Sequence, residues 1–293
     1  MNFCLRKTIG WGVAMAYVLS GCRRRCLSIY KRREGAVLSL FGHSPQPQVL
    51  DSLLNWLKRK GFHFVSTDEL LAMRDGEVKW TPQTAWLTFD DGWGGFERDL
   101  LPVLERYRVP ATIFVAPRET GRGKIWTNSI MGIMNGWQNL YDKSAEERYQ
   151  IVDKVLADAG IAFSEEGRQL AGKEELCRIA RHPLVTLENH TYTHLSCSRR
   201  PVAEVLGEIK KTQSVISEWT GRIPRLVCYP FGHCTEETDA AIKDIGLIPV
   251  SSFPGCMTLQ SIGTCRNMFH DAMGQAENVG RVLQAWPKVR VIS

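Results

Sequence analysis

The sequence predicts an α/β chain on a mainly parallel sheet, which over 293 residues suggests a single-domain barrel. Three observations carry this. Short apolar, β-branched runs alternate with amphipathic stretches of helical period along most of the chain. One such run, Ala85-Trp86-Leu87-Thr88-Phe89, ends in two carboxylates and a glycine, Asp90-Asp91-Gly92, and paired acids at the C-terminal end of a buried strand mark the chemical end of an α/β sheet. Finally, a hydrophobic share of 44% against 23% charged residues gives ample core material for one large domain.

Taken in order, Ala36 to Phe41 reads as a strand and Val49 to Lys60 as a helix with Leu50, Leu53, Leu54 and Leu57 on one face. Phe62 to Val65 is a second strand, and Thr67 can cap a helix running to about Met73. After the central strand, Phe96 to Tyr107 is helical and Ala111 to Ala116 extended. Residues 118–182 break the alternation. Ser144 to Ala157 and Glu165 to Ile179 are predicted helices of an insertion that could wall one side of a substrate cleft. Beyond it come the strand Leu184 to Leu187, the helix Pro201 to Trp219, the strand Arg225 to Tyr229, the helix Glu236 to Ile245 and the strand Leu247 to Ser251. The polar end after Asp271 shows no clear period. With no repeat or linker, the division is a segment 1–35 followed by one domain, 36–293.

Segment 1–35 holds the unusual charge. Of 37 Lys and Arg, eight fall in residues 1–33, which carry no acid, so the remaining 29 face all 31 acids. The body therefore has no basic excess for nucleic acid. Ile9 to Cys22 is apolar but too short to span a bilayer easily. Leu19-Ser20-Gly21-Cys22 resembles a bacterial lipoprotein cleavage box, which would make the chain an exported envelope lipoprotein anchored at Cys22. Six bases at positions 23–33 and nine cysteines without regular spacing favour instead a retained, cytoplasmic or membrane-surface protein. A helix that simply packs on the domain is the plainer alternative.

The second chemical stretch is Glu188-Asn189-His190-Thr191-Tyr192-Thr193-His194. On a helical turn His190 and His194 would share a face and grip one metal ion. With one of the aspartates they make a set of two imidazoles and one carboxylate, which leaves coordination positions open, as catalysis requires. Asp90 and Asp91 can serve one site only if the strand stops and the backbone turns, and Gly92 permits that.

Thr88-Phe89-Asp90-Asp91-Gly92, His190-Thr191-Tyr192-Thr193-His194 and Tyr229-Pro230-Phe231-Gly232 occur in the order seen in polysaccharide deacetylases with the NodB homology domain. The chain resembles that family over roughly residues 36–270. The resemblance implies a distorted (β/α) barrel, often of seven strands, and removal of N-acetyl groups from an amino sugar in a surface polysaccharide or its precursor. Asp91, His190 and His194 are then the metal ligands, with Zn²⁺ the expected ion, and Asp90 the general base. Zn²⁺ would acidify water and polarise a carbonyl. Thr191 could orient a ligand histidine. The resemblance further implies an oxyanion donor in the main-chain N–H of Tyr229 and a general acid in His270, from the pattern Met268-Phe269-His270-Asp271. That last match is loose, and His43 and His233 are rival acids. Trp93, directly after the aspartates, is the best-placed surface for a sugar ring; Trp126 is another candidate, and Trp86 belongs to the core. Cys197, Cys228 and Cys234 lack zinc-site spacing and read as small buried hydrophobes.

Two other classes compete. Two histidines and a carboxylate also suit a non-haem Fe(II) oxygenase, but that class uses His-x-Asp/Glu on an antiparallel fold. A catalytically silent glycan-binding module would also fit the weak late motifs, against the presence of both aspartates and both histidines.

Overall fold

A computed structural model describes residues 22–161 and 169–283. The lipoprotein-like box up to Gly21, and residues 165–168 of the second insertion helix, lie outside the described residues. The first element is helix α1, Cys22–Arg32, followed by β1 (Ala36–Gly42), α2 (Pro47–Arg59), β2 (His63–Phe64), α3 (Thr67–Arg74) and β3 (Thr84–Phe89). Next come α4 (Leu101–Tyr107), β4 (Ala111–Val115), α5 (Pro117–Arg122), α6 (Trp126–Ile130), α7 (Ala145–Asp158) and α8 (Lys173–Ile179). The chain continues through β5 (Val185–Asn189), α9 (Val202–Thr220), β6 (Leu226–Cys228), α10 (Glu236–Asp244) and β7 (Ile248–Val250). Two-residue strands β8 (Met257–Thr258) and β9 (Asn267–Met268) and helix α11 (Gln275–Val282) follow. No helix among the described residues is long and apolar enough to cross a membrane.

Local chemistry explains most boundaries. Helix α3 begins at a capping box in which Ser66 and Glu69 satisfy each other's backbone N–H groups, and Ser144 with Glu147 does the same for α7. Helix α2 buries Leu50, Leu53, Leu54 and Leu57, the predicted face, each removing roughly 1.5–3 kcal/mol of apolar exposure. The helix expected from Phe96 opens instead as a π-helical turn, Phe96–Leu100. Pro102 accounts for that: it has no N–H to give and its ring crowds the carbonyl four residues back.

The described residues divide into two compact units, each made of separated stretches of chain. In the first, β1 lies between β3 and β8, pairing antiparallel with β8; β2 adds to β3 and β9 to β1, both parallel. In the second, the order is β7-β6-β5-β4, with β5 parallel to β6 and β6 parallel to β7. Parallel pairing dominates, as predicted, and it sets aside the antiparallel fold of the Fe(II) oxygenases. Among the described residues nine strands form, the seven stretches read as strands from the sequence together with β8 and β9, which are too short to leave a period in it. The insertion has an apolar core of its own, built from Ile125, Trp126, Ile130, Leu140, Tyr149, Val152, Leu156 and Leu170.

Candidate active site

The second unit holds all of the predicted metal ligands. Asp90 and Asp91 follow β3 directly, and both are buried. Asp91 turns the chain itself, at φ +74°, and Gly92 continues the turn at φ +75°. That left-handed step swings both carboxylates off the strand's alternating faces, and aspartate is among the few residues that tolerate it.

His190 and His194 do meet, but not on a helix. His190 ends the β5 line, its N–H donating to the Val115 carbonyl, and the chain then loops. Thr191 and His194 sit at φ +59° and +49°, an arrangement no helical turn contains. Side chains hold this loop residue by residue. Asn189 Oδ1 accepts the Thr191 N–H, Thr191 Oγ1 accepts the Leu195 N–H, and Glu208 Oε2 accepts both the N–H and the hydroxyl of Thr193. Thr191 thus secures the loop and not a ligand ring. Six non-glycine residues of the described chain have positive φ, and four of them, Asp91, Thr191, His194 and Phe231, are here. Strain of about 1–3 kcal/mol per residue persists only where the surroundings over-determine it, and it concentrates at functional sites.

The geometry within the ligand set argues for a cation. His190 Nδ1 lies 2.9 Å from the Cys228 carbonyl, which can only accept, so Nδ1 carries the hydrogen and Nε2 the lone pair. That Nε2 faces Asp91 Oδ1 at 3.4 Å, and His194 Nε2 reaches the same oxygen at 3.2 Å. A lone pair opposed to a carboxylate oxygen at this distance is repulsive unless a proton or a metal ion lies between. Burial works against the charged His190 ring, yet Cys228, Asp91 and Asp90 outweigh it and raise its proton affinity. At His194 burial prevails over Asp91 and the proton affinity falls. The donor atoms of Asp91, His190 and His194 all lie within 4.8 Å of one another, as do those of Asp90, His190 and Cys228.

Two supporting residues, Arg148 and Glu119, were not foreseen, and Trp126 takes a role other than the expected one. Arg148 is fully buried, donates from Nη2 to the Thr193 carbonyl at 2.8 Å and stacks over the Trp126 ring. Trp126, expected as a sugar platform, is instead buried and donates from Nε1 to the His194 carbonyl at 3.1 Å. Beneath them Glu119 accepts the Trp126 N–H at 2.7 Å and a very short bond from the Tyr149 hydroxyl. The signal was available at Arg148 alone: on α7 it falls in register with Tyr149, Val152 and Leu156, the buried side.

The third motif is corrected in detail. The Tyr229 N–H donates to the Val250 carbonyl inside the sheet, so it has none left for an oxyanion. Its ring is buried and its hydroxyl bonds to Asp239, so it lines the interior and does not meet a sugar. The neighbouring Phe231, after Pro230 and at φ +61°, has an N–H that none of the hydrogen bonds of the described residues engages. Its ring stands edge-on to His194 at 4.6 Å. Trp93 is half-buried and packs against the insertion core, its backbone paired with Leu170. His233 hydrogen-bonds Ser196 through Nδ1 and packs near Tyr141 and Phe231, and burial lowers its proton affinity. His270 and His43 belong to the first unit. His270 is exposed, and its Nδ1 accepts the Ala272 N–H, which leaves the hydrogen on Nε2 of the neutral ring.

Comparison with known proteins identifies the family. Residues 77–250 match the polysaccharide deacetylase family. The chain is 19% identical over 213 residues to the poly-beta-1,6-N-acetyl-D-glucosamine N-deacetylase of Staphylococcus aureus, covering 70% of this chain and 59% of that protein. It thus spans little more than half the length of the curated relatives it matches. Among solved structures it is similar to the Streptococcus pyogenes deacetylase PplD, solved in complex with acetate, at a TM-score of 0.62, 14% identity, 84% of this chain and 98% of that one. IcaB from Ammonifex degensii gives a TM-score of 0.61, 16% identity, 86% and 97%. That likeness shows the fold, the α/β class with a distorted barrel. The chain belongs to the polysaccharide deacetylase family.

Proposed function

We propose that this protein is a Zn²⁺-dependent N-deacetylase acting on an N-acetylated amino sugar of a polysaccharide or its precursor. The observation that carries this is the convergence of His190 Nε2 and His194 Nε2 on one oxygen of Asp91, with the Asp90 carboxylate next in the chain. Asp91, His190 and His194 would hold the ion, and two nitrogens with one oxygen suit zinc. When bound, it supplies Lewis acidity, acidifying water and drawing electron density from the amide carbonyl.

The chain's own groups do the rest. Asp90, buried beside the ligand set, takes the proton of the attacking water. The Phe231 N–H stabilises the oxyanion, the part first assigned to Tyr229. His270, the acid implied by the family resemblance, would give a proton from its imidazolium to the departing nitrogen and end as the neutral ring. The net change consumes one water and yields acetate and a free amine. Trp93 remains the surface offered to a neighbouring sugar ring. The name of the Staphylococcus relative supports poly-N-acetylglucosamine as the first substrate to try. Acetate release from N-acetylglucosamine oligomers, with and without chelator, tests the reading. Oligomer binding without acetate release in metal-loaded protein would show a silent glycan-binding module.

The cationic helix α1, with Arg23, Arg24, Arg25, Lys31 and Arg32, supports contact with an anionic membrane surface by an uncleaved protein, each base contributing about 1 kcal/mol near the lipid. Intact-mass analysis decides that point; a mature chain beginning at lipidated Cys22 would make it an exported lipoprotein.

A further inference from the structure

Asp90, His190 and Cys228 form a second set of metal donors, all buried, with ligand atoms within 4.8 Å of one another. Cys228 ends β6, and the parallel register that pairs Asn189 with Val227 brings the next residues, His190 and Cys228, side by side. Cys228 then acts twice. Its carbonyl fixes the hydrogen on His190 Nδ1, and its Sγ stands 3.8 Å from Asp90 Oδ2. Since Nδ1 is occupied, both donor sets must use the single lone pair on His190 Nε2. They are therefore alternatives, and only one ion can use that nitrogen at a time.

The two sets differ in softness. Asp91, His190 and His194 offer one oxygen and two nitrogens, whereas Asp90, His190 and Cys228 offer an oxygen, a nitrogen and a sulfur. Thiolate sulfur selects thiophilic ions. We infer that Asp90, His190 and Cys228 form an alternative site for a thiophilic divalent cation, whose occupancy removes Asp90 from proton transfer. On binding, the Cys228 thiol gives its proton to solvent as the sulfur–metal bond forms; no electron moves and no other bond changes. The inhibitory consequence rests on the deacetylase reading, but the binding rests on geometry alone.

Cadmium is the probe. Titrated into the metal-stripped full chain, Cd²⁺ should give a thiolate-to-metal ultraviolet absorption, part of which is lost in Cys228→Ser. That Cys228-dependent part should survive in His194→Ala, which cripples the first set only. In Asp90→Asn the affinity behind it should fall about tenfold or more, with the protein still folded, since a ligand's charge is removed. Cadmium should slow acetate release in wild type at concentrations at least about tenfold below those needed in Cys228→Ser, each judged against its own cadmium-free rate. An absorption unchanged in Cys228→Ser, or lost in His194→Ala, overturns the inference. If Cys228→Ser does not fold, Cys228→Ala and the Asp90→Asn affinity decide it alone. Failure of the deacetylase reading looks different: no acetate release with zinc, and an intact Cys228-dependent cadmium signal.

Discussion

The indole N–H of Trp126 donates to the main-chain carbonyl of His194 at 3.1 Å, with both residues buried. Arg148 holds the preceding carbonyl, that of Thr193, at 2.8 Å. The insertion therefore fastens two consecutive peptide groups of the histidine loop, and His194 at φ +49° would not stay there by local preference. Trp126→Phe keeps most of the ring and deletes the donor. Metal affinity should fall by about 10–100-fold, the usual effect of losing a group that orients a ligand, with secondary structure unchanged. Competition against a chromogenic chelator measures it. Unaltered affinity would reduce Trp126 to core filling.

Asp90 and Asp91 are neighbours with separable tasks. Asp91→Asn should lose metal, since Asp91 Oδ1 is the point on which both histidines converge. Asp90→Asn should retain metal and lose turnover by roughly 10²–10⁴-fold, the range for a positioned general base. Elemental analysis beside acetate release separates the two outcomes. The reverse pattern would exchange the roles.

Glu119 lets the insertion respond to pH. Burial pushes its carboxyl up to about 7, although the Tyr149 hydroxyl, Arg148 and the Trp126 N–H pull the other way. In the unfolded chain it titrates near 4.3. Between those values the folded protein holds a proton that the unfolded chain has released. The resulting stability is complete below about pH 4.3 and is lost as pH rises through about 7, amounting to something on the order of 3 kcal/mol. Glu119→Gln mimics the protonated form and should flatten this decline. Urea unfolding of both proteins at several pH values between 5 and 8 reports it, and parallel curves would exclude Glu119 as the source.

What could be read from the sequence follows the range of the forces involved. The strand ending in Asp90-Asp91-Gly92 was legible because its cause is local: an apolar run, two acids, and a glycine where φ turns positive. The residues His190 and His194 were legible too, but their geometry was not. A four-residue spacing suggested a helix, whereas Glu208, Arg148 and Trp126, all distant in sequence, impose the loop. Cys228 looked like an apolar filler until the β5–β6 register set it beside His190. Tyr229 was given an N–H that only the pairing with Val250 shows to be in use.

The general acid gives the last prediction. Breaking an amide expels an amine, a poor leaving group unless it is protonated as the tetrahedral intermediate collapses. An aryl acetate expels a weakly basic phenolate, which needs no proton. Both substrates still require the ion, Asp90 and the oxyanion donor. A histidine acid must start as the imidazolium, and of the three candidates His270 is the exposed one, where water can solvate that charge; in its neutral ring Nδ1 accepts the Ala272 N–H. His233 engages Ser196 through Nδ1 and is disfavoured as a charged acid by its burial. His270→Ala should therefore cut N-acetyl hydrolysis by roughly 10²-fold or more and leave aryl acetate hydrolysis nearly unchanged. Asp90→Asn should cripple both, which controls for damage to the fold. His43→Ala and His233→Ala, compared in the same way, test the rivals. The variant that shows the amide-selective loss identifies the acid, and amide turnover left intact by His270→Ala would transfer the role to one of the other two.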